Sequence, residues 1–149
     1  MSVYDTYGFK EFSLDEVQEQ LEKLLEIKFE LRHSSYKGDY CLYRGIHREK
    51  YELVNNYTEE EGWVLDERKD ITVILRVNYS PRADELRKIL LSAMNSILFL
   101  KRTTLTRNNE KLWDRKYYFI NGRDKLVFEQ LVINDEIIKT WCSDEYASI

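Results

Sequence analysis

The chain is poor in residues that interrupt regular backbone. One proline and five glycines in 149 residues argue for regular elements joined by short connections. Only two cysteines occur, Cys41 and Cys142, with no CxxC pair and no metal-ligand spacing. Free, partly buried thiols are expected rather than a disulfide or a metal centre. The only histidines are His33 and His47. No apolar run is long enough to cross a bilayer. Residues 1 to 12 mix Asp5, Lys10 and Glu11 with aromatics and show no apolar core of a secretory leader. A cytoplasmic protein without a membrane partner is the expectation. Also missing are a Gly-rich phosphate loop, a G-x-S-x-G elbow and an H-E-x-x-H pair.

What the chain does have is a hydrophobic content of 43% and a charged content of 34%, the balance of one folded domain spanning residues 1–149. It is rich in aromatics, with eleven tyrosines, six phenylalanines and three tryptophans. Such side chains stabilise cores and are favoured at protein–protein contacts. Charge is unevenly placed. Residues 1 to 75 carry 17 acids and 10 bases, a net of −7, whereas residues 76 to 149 carry 10 acids and 13 bases, a net of +3. Opposite fields can therefore face different partners.

Helix signals are strong at two places. Ser13 with Glu16 forms a capping box, and Phe12 with Val17 a hydrophobic staple. Leu14, Val17, Leu21, Leu24 and Leu25 then fall on one helical stripe that ends near Leu25 or Glu26. Farther on, Ser80 is expected to cap a second helix with Pro81 at its first position and Asp84 and Glu85 in its first turn. Its apolar face is Ala83, Leu86, Ile89, Leu90, Ala93 and Met94. Period-two alternation of Ile27, Phe29 and Leu31 predicts a strand, Lys37-Gly38-Asp39 a turn, and residues 40–46 and 51–55 the next two strands. Residues 56 to 70 read as a polar loop. Strands are expected at residues 71–79, with both faces covered, and at residues 97–105, 117–120 and 126–133, with Asn121-Gly122 as a tight turn. Residues 134 to 149 fit either a short helix or an irregular tail. The sum is an α+β domain: a twisted, mostly antiparallel sheet of about six to seven strands, with two main helices packed chiefly on one face.

Chemistry-bearing groups are sparse. His33 and His47, with Asp39 or Glu49, could form the acid/base pair of a nuclease; a strand-end histidine and an exposed-turn histidine fit the same residues. Cys41 would act as a nucleophile only beside a base that lowers its pKa, and the alternation of Tyr40, Leu42 and Tyr43 suggests a sheet-facing thiol instead. Asp66, Glu67 and Asp70 lack the ligand spacing of a calcium loop. No catalytic set, metal or cofactor is implied. Residues 101–125 contain eight bases among Trp113, Tyr117, Tyr118 and Phe119, so a nucleic-acid-contacting module is one alternative, although the acidic net charge weighs against it. Glu59, Glu60, Glu61, Asp66 and Glu67 form an acidic loop around Trp63. That loop reads either as a solvated segment or as a surface for a basic partner.

One further pattern bears on function. It comprises the capped helix Ser13 to Leu25, the segments Ile27-Lys-Phe29-Glu-Leu31-Arg32-His-Ser34-Ser35-Tyr36 and Gly38-Asp39-Tyr40, then Tyr51-Glu-Leu-Val-Asn55, and last the strand Thr72-Val-Ile-Leu-Arg-Val77 leading to Pro-Arg-Ala-Asp-Glu-Leu. Over about two-thirds of the chain it resembles small immunity proteins of bacterial polymorphic-toxin and contact-dependent growth inhibition systems. The resemblance implies a non-catalytic, stoichiometric inhibitor acting in the cytoplasm on a cognate toxin domain, a basic nuclease being the expected partner. The family carries no catalytic motif. The candidate toxin-binding residues are chosen by chemistry: Tyr36, Asp39, Tyr40, Glu59, Glu60, Glu61, Trp63, Asp66 and Glu67.

Overall fold

A computed structural model describes residues 1–148; Ile149 lies outside the described residues. The chain runs β1 (Ser2–Lys10), α1 (Leu14–Leu25), β2 (Glu30–Ser34), β3 (Gly38–Arg44), β4 (Lys50–Asn55), β5 (Tyr57–Thr58), β6 (Gly62–Trp63), β7 (Ile71–Asn78), α2 (Ala83–Ala93), β8 (Ile97–Asn108), β9 (Lys111–Ile120), β10 (Arg123–Ile133) and β11 (Glu136–Cys142), then a 3-10 turn, Asp144–Ser148. It is an α+β protein. Its main antiparallel sheet has nine strands in the order β11-β10-β9-β8-β1-β7-β4-β3-β2, and β5 and β6 form a small separate hairpin. The expected six to seven strands fall short because β1 and β11 carry no clean period-two pattern.

Both helices pack on one face. The stripe Leu14, Val17 and Leu21 of α1 and the stripe Leu86, Leu90 and Met94 of α2 share a core with Tyr7, Phe9, Tyr51, Leu53, Val73, Leu75, Val77, Ile97 and Phe99. The opposite face has a smaller core of Val54, Ile71, Ile74 and Leu100. No helix covers it. Leu65 of the loop after β6 packs there instead, beside Tyr40 and Leu98, so β7 is covered on both faces as its sequence implies.

Local chemistry accounts for the elements. The capping box forms as expected: Glu16 N–H donates to Ser13 Oγ and Ser13 N–H to Glu16 Oε1, which satisfies two orphan donors of α1. Ser80 does not cap α2. Arg82 is the residue before its first turn, with no side-chain cap, and the Ser80 hydroxyl donates instead to the buried carboxylate of Glu49, Oγ to Oε2 2.5 Å. The apolar face of α2 is narrower than expected, since Ile89 is 45% exposed. β2 begins three residues later than the alternation suggested. Phe29 is buried before pairing starts, and Leu31 is 60% exposed on the edge strand. The turn that follows is centred on Ser35, Tyr36 and Lys37, because Gly38, at φ +66°, already pairs with Ser34. Residues 134–148 form β11 and the 3-10 turn rather than a tail.

Candidate partner-binding surface

The segment after β4 is a folded cover rather than a polar loop, and Asn56 holds it. This residue is fully buried. Its side-chain amide donates to the carbonyl oxygens of Ile71 at 2.9 Å and Arg68 at 3.0 Å, with a longer contact to Leu65 at 3.4 Å. Its Oδ1 accepts from Leu65 N–H at 2.7 Å. Its own backbone pairs with Thr72 and Val64. An asparagine fits because it offers a donor and an acceptor on one short side chain. With Leu65 so fixed, the β5–β6 hairpin projects from the helix-free face.

At its tip stand Glu59, Glu60 and Glu61, all exposed. Glu61 N–H donates to Thr58 Oγ1, and Gly62 adopts φ +75°, which closes the turn. Asp66 is exposed and meets Lys69 at 3.7 Å, while Glu67 is exposed nearby. Among the described residues no ion pair engages Glu59, Glu60, Glu61 or Glu67. Trp63 lies against Tyr57 with ring centroids 5.0 Å apart. Both rings are partly open to solvent, 37% and 51% exposed. Sequence pattern alone does not point to Tyr57. Its signal, an aromatic directly across a two-residue strand from Trp63, exists only once the hairpin register is known.

The two segments singled out from sequence come together here. A side-chain carbon at Gly38 would sit 3.6 Å from Thr58 Cγ2, so the β2–β3 turn abuts the acidic hairpin just below its tip. Tyr36 is 70% exposed at that turn. Tyr40 is half-buried against the helix-free core, with Lys37 Nζ 4.8 Å from its ring centre. Lys37 also reaches the buried carboxylate of Glu52 at 2.8 Å, and Arg76 reaches the same group at 3.3 Å. Burial opposes ionisation of Glu52, but the Lys37 hydrogen bond and the charges of Lys37, Arg76 and Lys50 outweigh it and hold the carboxyl below its usual range. Asp39 departs from the group. Strand alternation turns it to the face opposite Tyr40, where it pairs with His33, Nδ1 to Oδ1 2.9 Å.

Of the groups considered for catalysis, His33 and Asp39 meet, but His47 and Glu49 do not join them. His33 lies on β2 opposite Asp39, near the β2–β3 turn, and His47 lies in the β3–β4 turn, so the seven-residue length of β3 separates them, roughly 20 Å at strand rise. Glu49 is buried and its carboxylate is engaged elsewhere. It accepts from Tyr51 Oη at 3.1 Å and from Ser80, with Arg82 Nε at 3.6 Å. Burial, with Asp15, Glu22 and Asp39 nearby, pushes the Cys41 thiol up to about 11, opposite to what a nucleophile needs. Cys142 is exposed, not partly buried. The basic segment is broken up by pairing. Arg102 makes two bonds to buried Asp5 and one to Asp84; Arg115 meets Glu129, Lys116 meets Asp114 and Lys125 meets Glu145. Alternation along β8 and β9 also divides its bases between the two sheet faces. Among the described residues, no helix is long and apolar enough to cross a membrane.

Comparison with known proteins adds no identity: no protein-family model matches the chain, and no curated protein matches it.

Proposed function

We propose that this chain is a non-catalytic immunity protein that binds a cognate bacterial toxin in the cytoplasm and blocks its active site or an adjacent surface, the toxin being a basic nuclease. The observation that carries the reading is the acidic hairpin tip seated beside the aromatic β2–β3 turn on the helix-free face. Glu59, Glu60, Glu61 and Glu67 supply charge that internal pairing does not consume, so it can speed encounter with a basic surface. Tyr36, Trp63 and Tyr57 supply aromatic area on short, held segments, the residue type and setting of interface anchors. Tyr40 and Asp66 flank them, while Asp39 faces the other side of β3. A phosphate-tracking role for residues 101–125 is the weaker reading, because four of its eight bases sit in ion pairs and a phosphate groove needs an uninterrupted positive field.

The test is co-expression with the toxic product of the neighbouring open reading frame. The chain should restore growth and be recovered in a one-to-one complex. Failure on both counts sinks the reading. Reversing Glu59, Glu60 and Glu61 to lysine should slow association and flatten its salt dependence. Unchanged kinetics would move the binding surface elsewhere while leaving the inhibitor reading in place.

A further inference from the structure

One edge of the sheet is β11. Among the described residues β11 pairs only with β10, and all seven of its residues are exposed. Ile137, Ile138 and Trp141 are 66%, 55% and 43% exposed. The other edge, β2, is shorter and carries its own Glu30–Arg32 ion pair, the usual way of blunting an edge. A long, apolar open edge offers a row of backbone donors and acceptors to another strand.

The side chains of β11 indicate which strand. Its two charges, Glu136 and Lys139, have opposite sign. The register slip between Leu131 and Val132 sets Glu136 opposite Ile133 and Lys139 opposite Leu131. Ile133 and Leu131 are two apart on β10, so both charges project to the same face. A second copy running antiparallel can therefore put its Lys139 against Glu136, and its Glu136 against Lys139, with Ile137 of one copy meeting Ile137 of the other between them. The symmetric alternative that centres on Lys139 sets two like charges opposite each other, which is unfavourable.

We propose that β11 pairs with β11 of a second copy, joining two nine-stranded sheets into one across a two-fold axis. The acidic hairpin and the β2–β3 turn lie toward the far edges of such a dimer, so this pairing is independent of the toxin-binding reading and compatible with it.

Sedimentation velocity and light scattering over a concentration series test it on the full chain. A concentration-dependent dimer is expected. Glu136→Lys or Lys139→Glu alone should weaken it roughly tenfold or more, because each replaces two attractive cross-strand contacts with two repulsive ones. Mixing the two single variants should restore association as a heterodimer, and Glu136→Lys/Lys139→Glu should restore the homodimer. These positions are exposed, so circular dichroism should show all variants folded. A monomer at every concentration overturns the proposal. So does a dimer indifferent to the single reversals, or one that the double reversal does not rescue.

Discussion

Replacing Asn56 with alanine should release the cover of the helix-free face. The side chain makes two well-formed bonds to carbonyls, at 2.9 and 3.0 Å, and one from Leu65 N–H at 2.7 Å. At about 1 kcal/mol net per bond, their loss amounts to roughly 3 kcal/mol. Water entering the partly open side of the site would reduce this, whereas an orphaned Leu65 N–H would increase it. About 2–4 kcal/mol is the working range. Two outcomes can be told apart. If the cover unfolds alone, exchange of the Val64 and Leu65 amides should approach that of an open loop, while the urea midpoint moves little. If Leu65 is needed to shield Ile71 and Ile74, the midpoint itself should fall. Asn56→Asp separates donor from acceptor: it keeps the acceptor for Leu65 N–H but points a carboxylate at carbonyl oxygens. Its folded pKa should rise, so its stability relative to wild type should improve as pH falls through that raised value toward the unfolded one. An Asn56→Ala variant with both an unchanged midpoint and full protection at Leu65 would refute the reasoning.

Three other predictions concern separate parts of the molecule. Glu52 has a folded pKa below its unfolded value, so the Lys37–Glu52–Arg76 contacts should contribute stability above about pH 4.3 and lose it as pH falls through the lower folded value. Glu52→Gln should remove that part of the acid sensitivity in a urea-midpoint series across pH. Gly8→Ala should destabilise by about 1–3 kcal/mol, since its Cβ would lie 2.5 Å from Ile71 Cδ1; adding Ile71→Val, which deletes that carbon, should recover part of the loss in a thermal melt. In native protein an alkylating reagent should modify Cys142 readily and Cys41 only after unfolding, given a thiol pKa near 11 and full burial. Equal rates would contradict the packing of β3 against α1.

Much of the helix-face core was legible in the sequence, because α1 and β7 show clean periodicity and Ser13-x-x-Glu16 names its own boundary. The strands missed fail for identifiable reasons. β1 interrupts its alternation with Asp5, which is buried only because Arg102 pairs with it, and with Gly8, which is needed because Ile71 crosses it. β11 shows no burial pattern, since neither of its faces is covered. Ser80 looked like a cap because its sequence context is that of one, yet a distant carboxylate competes for its hydroxyl. Of the candidate surface, the acidic and aromatic residue types were visible. Their meeting depends on Asn56 folding the intervening segment, a contact spanning nine to fifteen residues that local pattern does not encode.

The central place of β1 has a consequence for how the chain acquires its structure. Tyr7 pairs with Leu75 on one side and Phe99 on the other, so the middle of the sheet closes only after strands far downstream exist. At synthesis rates of about 5–20 residues per second, Tyr7 and Phe9 stay without their β8 partners for on the order of 5–20 s. Such a high contact order favours slow folding with β1 inserted late, and the gap between β7 and β8 is then the point at which a nascent chain is most exposed to mispairing.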